Sequence, residues 1–394
     1  MSKVKQLFLL CINLFLYGIS HVIAKKPDLW VFGAWFGSRY SDNPKAFFDY
    51  INQHQKHITA IWISKDQAVV QSVRNKGYRA YHANSLVGLW CQCRAKFAFV
   101  CQALQDDLYA PCISKKTIVV NLWHGLPLKK IMYDVFGEKV IHKNVIGRLF
   151  DYLSPYEKQR NDYLLATSSE TQQTLSKAFR LPLERTLITG FPRNDVFLNL
   201  PVKAENTPYK CIYMPTFRGG QGSECDLFAQ YGFDVKAIDT VLAENNIVLV
   251  LRMHPVNKPP QALIEKIQHS RNIEIDNSAD IFDTIALYDC MVTDYSGGYF
   301  DFLLSNKPIL FAPFDLAKYK AQERDLYYEY EDVTLGPYAY SWSELIAIIV
   351  STKKKEYDND DYIKNYKILK QKFHQPFDTQ ISFSGKLFSI ISDL

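Results

Sequence analysis

The sequence has no Cys-X-X-Cys pair, so it lacks the usual spacing of a structural zinc site. Its eight cysteines are spread out. Cys91, Cys93, Cys101 and Cys112 are loosely grouped, and Cys11, Cys211, Cys225 and Cys290 are scattered. Cys211 and Cys290 fall in apolar runs, where a thiol behaves as a small hydrophobe, and the pattern points to a reducing, cytosolic environment. A dense basic patch is also missing. A net charge of +5 over 394 residues permits an anionic partner but not the footprint of a nucleic-acid binder. There is no low-complexity segment, and 25 Tyr with 25 Phe exclude a disordered chain. The charged run KKKEYDNDD contains Asp358-Asn359-Asp360, which reads as solvated surface and not as a metal site.

What is present suggests two domains, each with enough apolar residues for its own core. Leu7 to Ala24 is largely apolar, flanked by Lys3 and Lys5 before it and Lys25 and Lys26 after it, and interrupted by Asn13, Ser20 and His21. Polar interruptions and basic flanks fit an in-plane or shallow membrane helix best. A buried first helix ranks next. A cleaved signal peptide (Gly18-Ile19-Ser20 as the small-residue site) and a marginal single span are the other readings.

Behind this segment, short apolar runs alternate with stretches of helical spacing. Strands are expected at 29–35, 58–63, 78–81, 97–101, 117–122, 163–167 and 187–189, with helices at 43–54, 67–76 and 86–93. The polar stretch LPVKAENTP, 200–208, reads as a linker. A second alternation follows, with strands at 209–214, 247–252, 273–275, 290–293 and 309–311. Its helices are expected near 234–244, 260–268, 280–288 and 299–305, and two more at 341–351 and 361–373. Such alternation predicts parallel βαβ units. The expected division is a membrane-associating segment 1–26, a Rossmann-like domain 27–200 and a second Rossmann-like domain 201–394, with the last helix able to pack back on the first domain.

Five polar clusters each follow an expected strand: Trp123-His124-Gly125, Gly190 to Asp195, Pro215 to Arg218, Arg252 to Pro255, and Asp294-Tyr295-Ser296. In open α/β sheets, ligands bind beyond the carboxyl ends of strands. Two such sheets facing each other would bring all five to one cleft. Asp294 to Gly298 forms a small-residue turn between a strand and a helix, a place where backbone N–H groups can meet a phosphate.

These pieces resemble the CDP-glycerol glycerophosphotransferase family, the teichoic-acid and capsule glycerol-phosphate transferases. The matching pieces are WHG-LP-K (Trp123 to Lys129), GFPRND (Gly190 to Asp195), PTFR (Pro215 to Arg218), RMHP (Arg252 to Pro255) and TDYS…FDF…KPILFAPFDL (Thr293 to Leu316). The opening LWVFGAWFGSRYSDN is similar to that of the family's short, primase-like members. The resemblance implies a GT-B fold of two Rossmann-like domains facing a central cleft, and attachment at the cytoplasmic face of the cell membrane. It further implies transfer of glycerol phosphate from CDP-glycerol to a lipid-linked or polysaccharide acceptor, with no bound metal or other cofactor. One departure stands out. The family turn usually reads Asp-Tyr-Ser-Ser, and Gly297 replaces the second Ser here, so CDP-ribitol or another CDP-alcohol stays open as donor. A GT-B sugar-nucleotide glycosyltransferase or epimerase and a catalytically idle binding protein are the rival readings.

Attack of an acceptor hydroxyl on the β-phosphorus requires a base, positive charge at the phosphates and a nucleotide site. His124 is the candidate base, against a helix-capping role. His254, with Arg252, is placed to bind the diphosphate or to protonate departing CMP, against a core histidine. Arg218 and Arg193 are candidate phosphate clamps; for Arg193 the rival is a surface pair with nearby Asp195. Ser296, Gly297 and Gly298 would offer N–H groups, compatibly with an ordinary helix cap. Asp301 could reach the ribose, or simply favour the helix dipole. Asp294 would orient the turn, and Lys129 would meet an acceptor phosphate. The run Gly219-Gly220-Gln221-Gly222 is expected to be a mobile loop over the donor.

Overall fold

Short β-branched and apolar runs build two all-parallel sheets in the computed structural model, which describes residues 3–136, 154–158, 160–218, 227–253, 259–322, 325–356, 360–375 and 381–394. The first sheet holds β1 (Lys26–Phe32), β2 (Thr59–Ser64), β3 (Ala80–His82), β4 (Ala95–Val100), β5 (Ile118–Asn121), β6 (Tyr163–Ala166) and β7 (Thr186–Ile188). Their order is β3-β2-β1-β4-β5-β6-β7. The second holds β8 (Tyr209–Met214), β9 (Ile247–Leu251), β10 (Ile273–Ile275), β11 (Cys290–Thr293) and β12 (Ile309–Phe311), ordered β10-β9-β8-β11-β12. Each is a doubly wound α/β sheet whose order reverses once, between β1 and β4 in the first and between β8 and β11 in the second. The expected α/β class and strand positions hold. Sheets covered on both faces need continuous apolar strands, and Ile247–Leu251, all five residues buried, shows the type. Cys211 and Cys290 lie opposite each other on β8 and β11 and are fully buried, as apolar core members.

The helices are punctuated by local side-chain bonds. Ser168 and Thr171 form a reciprocal capping box at the start of Ser169–Phe179, which Arg180 ends in the left-handed region. Asp66, Asp234 and Ser341 cap Gln67–Asn75, Val235–Glu244 and Trp342–Lys353 by accepting amide N–H bonds. One expected helix is corrected. The stretch 280–288 forms two separate 3-10 turns, Ile281–Asp283 and Ile285–Leu287. Asp280 takes the Phe282 amide at 3.1 Å, a local bond that competes with helix formation. The 299–305 helix is likewise α-helical only over Gly298–Phe302 and tightens to 3-10 over Leu303–Ser305.

Two compact units result, and neither is one stretch of chain. The first comprises Met1–His124, Met132–Asp195 and Phe377–Leu394; the second comprises Gly125–Ile131 and Val196–Pro376. In the first unit, the terminal helix Phe383–Ser392 packs on Asp42–His54, with the rings of Phe388 and Trp30 5.9 Å apart. The GFPRND turn receives it. Gly190 has φ of +75°, and a Cβ there would meet the Phe383 ring at 2.1 Å, so only glycine fits. Asp195 accepts the amides of Phe383 at 2.6 Å and Ser384 at 3.2 Å.

The N-terminal helix Lys3–Val22 belongs to the first unit. Asn13 accepts a bond from the Tyr109 hydroxyl at 2.6 Å, and Leu14 and Tyr17 pack against the core. Val4, Leu7, Phe8, Phe15 and Val22 are exposed. By length and composition this helix could cross a membrane.

Candidate active site

In the first unit, the chain ends of β1, β4 and β5 meet where the strand order reverses. This is where a doubly wound sheet opens a crevice. His124, three residues beyond β5, donates its Nδ1–H to the Cys101 carbonyl just after β4 at 2.9 Å. A carbonyl can only accept, so this bond fixes the tautomer and leaves Nε2 with its lone pair. Nε2 has no hydrogen-bond partner among the described residues. Trp35, after β1, lies with its ring 5.5 Å from the imidazole. Burial pushes the His124 pKa below its ordinary 6.5; the negative charge of Asp42 and the Cys101 bond pull it upward without overcoming burial, and the positive charge of Arg193 adds to the lowering. The imidazole is therefore neutral at pH 7, the form a general base needs.

The backbone around His124 is held by a buried polar set. Asn43 donates to the carbonyls of Leu122 and Trp123 at 3.0 and 2.9 Å and accepts the Arg193 amide at 3.1 Å. Arg193 Nη1 donates to the His124 carbonyl and to Asp42, both at 2.8 Å. Asp42 also accepts from the Trp35 indole at 3.1 Å. The Arg193–Asp42 pair is buried, with side chains 6% and 7% exposed. Arg193 is thus buried and pairs with Asp42, while the Asp195 carboxylate caps the helix Phe383–Ser392.

The second unit repeats the arrangement at its own reversal. Asp294, fully buried at the end of β11, accepts the Thr216 amide at 2.8 Å and the Arg218 guanidinium at 2.7 Å. Arg218 also grips Asp315 through two bonds of 2.8 and 2.9 Å and the Thr216 carbonyl at 2.6 Å. Burial works against its charge, but the two carboxylates hold Arg218 firmly protonated. The Tyr295 hydroxyl reaches Asp315 at 3.1 Å, and the Tyr330 hydroxyl donates to the Asp294 carbonyl at 3.1 Å. Tyr295 and Tyr319 stack at 3.8 Å, with Arg218 5.1 and 5.0 Å from their ring centres. Lys129, in the Gly125–Ile131 segment of this unit, lies 4.7 Å from the Tyr319 ring and 5.4 Å from that of Phe217. Lys129, Arg218 and Asp294 are therefore gathered in one cluster.

Ser296, Gly297 and Gly298 form the half-buried rim of the same turn, where the Ser296 hydroxyl accepts the Gly298 amide at 3.3 Å. Arg252 stands apart from the cluster in its bonding. It ties the end of β9 to the loop after β10, through Asp276 at 2.6 Å and the Ser278 hydroxyl at 2.7 Å. The expected ribose contact through Asp301 does not fit, because Asp301 is fully enclosed and has no open surface to offer a ligand. Its charge acts on buried His374, whose Nε2 donates to the Phe300 carbonyl at 2.6 Å. His254, the Gly219 to Gly222 run and the acidic triplet at 358–360, apart from Asp360 itself, lie outside the described residues.

Sequence reasoning passed over Asp42, Asp315 and Trp35 as site residues. All three sit beyond strands in stretches already conspicuous for their motifs, and that strand-end placement is the signal that would have found them.

A family model described as CDP-Glycerol:Poly(glycerophosphate) glycerophosphotransferase matches residues 15–382. The chain is 28% identical over 388 residues to a teichoic acid glycerol-phosphate transferase of Staphylococcus aureus, covering 93% of this chain and 94% of that one. It is 26% identical over 377 residues to a teichoic acid ribitol-phosphate primase of Bacillus spizizenii, covering 88% and 89%. Among solved structures it resembles the wall teichoic acid polymerase TagF, at 21% identity and a TM-score of 0.72, over 100% of this chain and 97% of that one, a likeness of fold. With motifs, sheet topology and a match over most of its length in agreement, the chain belongs to the CDP-glycerol:poly(glycerophosphate) glycerophosphotransferase family.

Proposed function

We propose that this protein transfers glycerol phosphate from CDP-glycerol to a hydroxyl of a lipid-linked or polysaccharide acceptor, in the synthesis of a teichoic acid or capsular polymer. The observation that carries the reading is the His124 imidazole, held at a strand reversal as the neutral tautomer with Nε2 unpartnered among the described residues. In the step, the acceptor oxygen bonds to the β-phosphorus of the donor and its proton passes to His124 Nε2. The bridging P–O bond breaks, and CMP leaves with that electron pair. Arg193 acts by holding the His124 carbonyl. Arg218 and the Ser296 to Gly298 turn receive the donor phosphates, with Asp294 fixing the turn, and Lys129 meets an acceptor phosphate. Arg252 and His254 complete the donor side, and no metal or other cofactor takes part.

Incubation with CDP-glycerol and acceptor is expected to release CMP stoichiometrically with glycerol phosphate incorporation. Release from CDP-ribitol alone would move the reading to a ribitol transferase, and no release from any CDP-alcohol would defeat it.

The acceptor class puts the enzyme at the cytoplasmic face of the membrane. Support comes from the N-terminal helix, where Val4, Phe8, Phe15 and Val22 fall on one side at spacings of 4 and 7 residues and are exposed. Asn13, Leu14 and Tyr17 tie the helix to the first unit, which favours lying in the bilayer surface over spanning it. The pair F8D/F15D removes two apolar anchors, each worth about 1.5–3 kcal/mol when buried. Flotation with anionic phosphatidylglycerol vesicles should therefore weaken more than about tenfold. Unchanged flotation would remove this helix as the attachment.

A further inference from the structure

Gly297 does not occupy strained backbone; what distinguishes it is the space it leaves. A Cβ placed there would lie 2.3 Å from the carbonyl oxygen of Leu126, a backbone atom that no rotamer change can move. Neither side of this contact has slack. The turn is locked by Asp294, through the Thr216 amide and Arg218, and by the Tyr330 hydroxyl on its carbonyl. The Gly125–Ile131 segment is pinned beyond Leu126 by the Tyr327 amide on the Leu128 carbonyl at 2.9 Å and by the Lys130 amide on the Asp325 carbonyl at 2.8 Å. Leu126 and Leu128 are themselves buried. This segment carries Lys129 and starts at the residue following His124.

We propose that Gly297 is a positioning residue: its missing side chain lets the Leu126 carbonyl seat against the 294–298 turn, which sets where the Gly125–Ile131 segment presents Lys129. The serine expected from the family pattern would strike the same oxygen with its Cβ, so Gly297 and the path of this segment belong together in this chain. The inference rests on the transfer reading above. It adds to that reading a steric role at a position first expected to serve only as a donor contact.

The test is Gly297→Ala in the full-length protein, measured for CMP release, CDP-glycerol binding and amide hydrogen exchange. A misplacement of about 1 Å can cost about 10²-fold in rate. A fall in kcat of that order is expected, with KM and the CDP-glycerol thermal shift nearly unchanged and faster exchange confined to 125–131 and 325–327. A raised KM with an abolished thermal shift would show that the added methyl displaces the turn's donor-facing N–H groups and not the 125–131 segment, and would overturn the proposal. Unchanged kcat with unchanged exchange overturns the proposal. So does loss of protection throughout β8 to β12, since Gly297 would then be a folding requirement only. A wild-type enzyme that releases no CMP would defeat the transfer reading, while the exchange result on Gly297→Ala still decides whether the segment is seated by this contact.

Discussion

His124→Gln is expected to fold normally and to lose about 10²–10⁴-fold in turnover, the usual worth of a positioned general base. Glutamine keeps a polar group near the Cys101 carbonyl but cannot take a proton at neutral pH. The pH profile separates this role from a structural one. Burial lowers the His124 pKa below 6.5, so the wild-type rate should hold through neutrality and fall only as pH drops through that lowered value. The variant should lack this limb. Stability follows the same sign. Below pH 6.5 the unfolded chain takes up a proton at His124 and the folded chain does not until lower pH, so stability declines with falling pH over that window. That decline, too, should be shallower in the variant. A stable His124→Gln with wild-type turnover would remove the base assignment.

Arg218→Met is expected to destabilise the second unit by about 3–5 kcal/mol, the cost of leaving buried charge unpaired. Two carboxylates depend on this guanidinium, Asp294 fully buried and Asp315 with its side chain 10% exposed, and Arg218 itself is 16% exposed. An exposed pair would be worth only about 0–1 kcal/mol. Urea unfolding distinguishes the two, and a loss below about 1 kcal/mol would show that solvent screens the cluster. Arg218→Lys should recover little, since an ammonium cannot span Asp315 with two bonds while also reaching Asp294. The double variant Arg218→Met, Asp315→Asn should be less damaged than Arg218→Met alone, because one stranded charge is gone.

The strands were legible because a sheet buried on both faces demands what Ile247–Leu251 supplies, an unbroken apolar run with no polar face. His124 and Asp294 were legible for a related reason, as polar residues set immediately beyond such runs. What pairs with what was not. Asp195 is two residues from Arg193, yet the arginine's carboxylate partner is Asp42, 151 positions away, and Arg218 finds Asp315 97 positions on. Neither periodicity nor spacing carries information at that range. Asp301 fails for another cause. Its place one turn into a helix suggested a ligand-facing side, but the sequence does not say what covers that side, and the residue proves fully enclosed. The 280–288 stretch had helical spacing, but Asp280 offered the backbone a local alternative.

The terminal helix Phe383–Ser392 closes the first unit, not the second. A chain emerging from the ribosome therefore cannot finish packing the first unit until the residues of the second have been made. Until Phe383–Ser392 appears, the Trp30 side of the core lacks its Phe388 neighbour, and the GFPRND turn has nothing to cap. The nascent first unit carries an uncovered apolar wall throughout synthesis of the second, a period in which chaperones or the membrane surface could engage it. The unit whose strands are translated before those of the other is covered only after them.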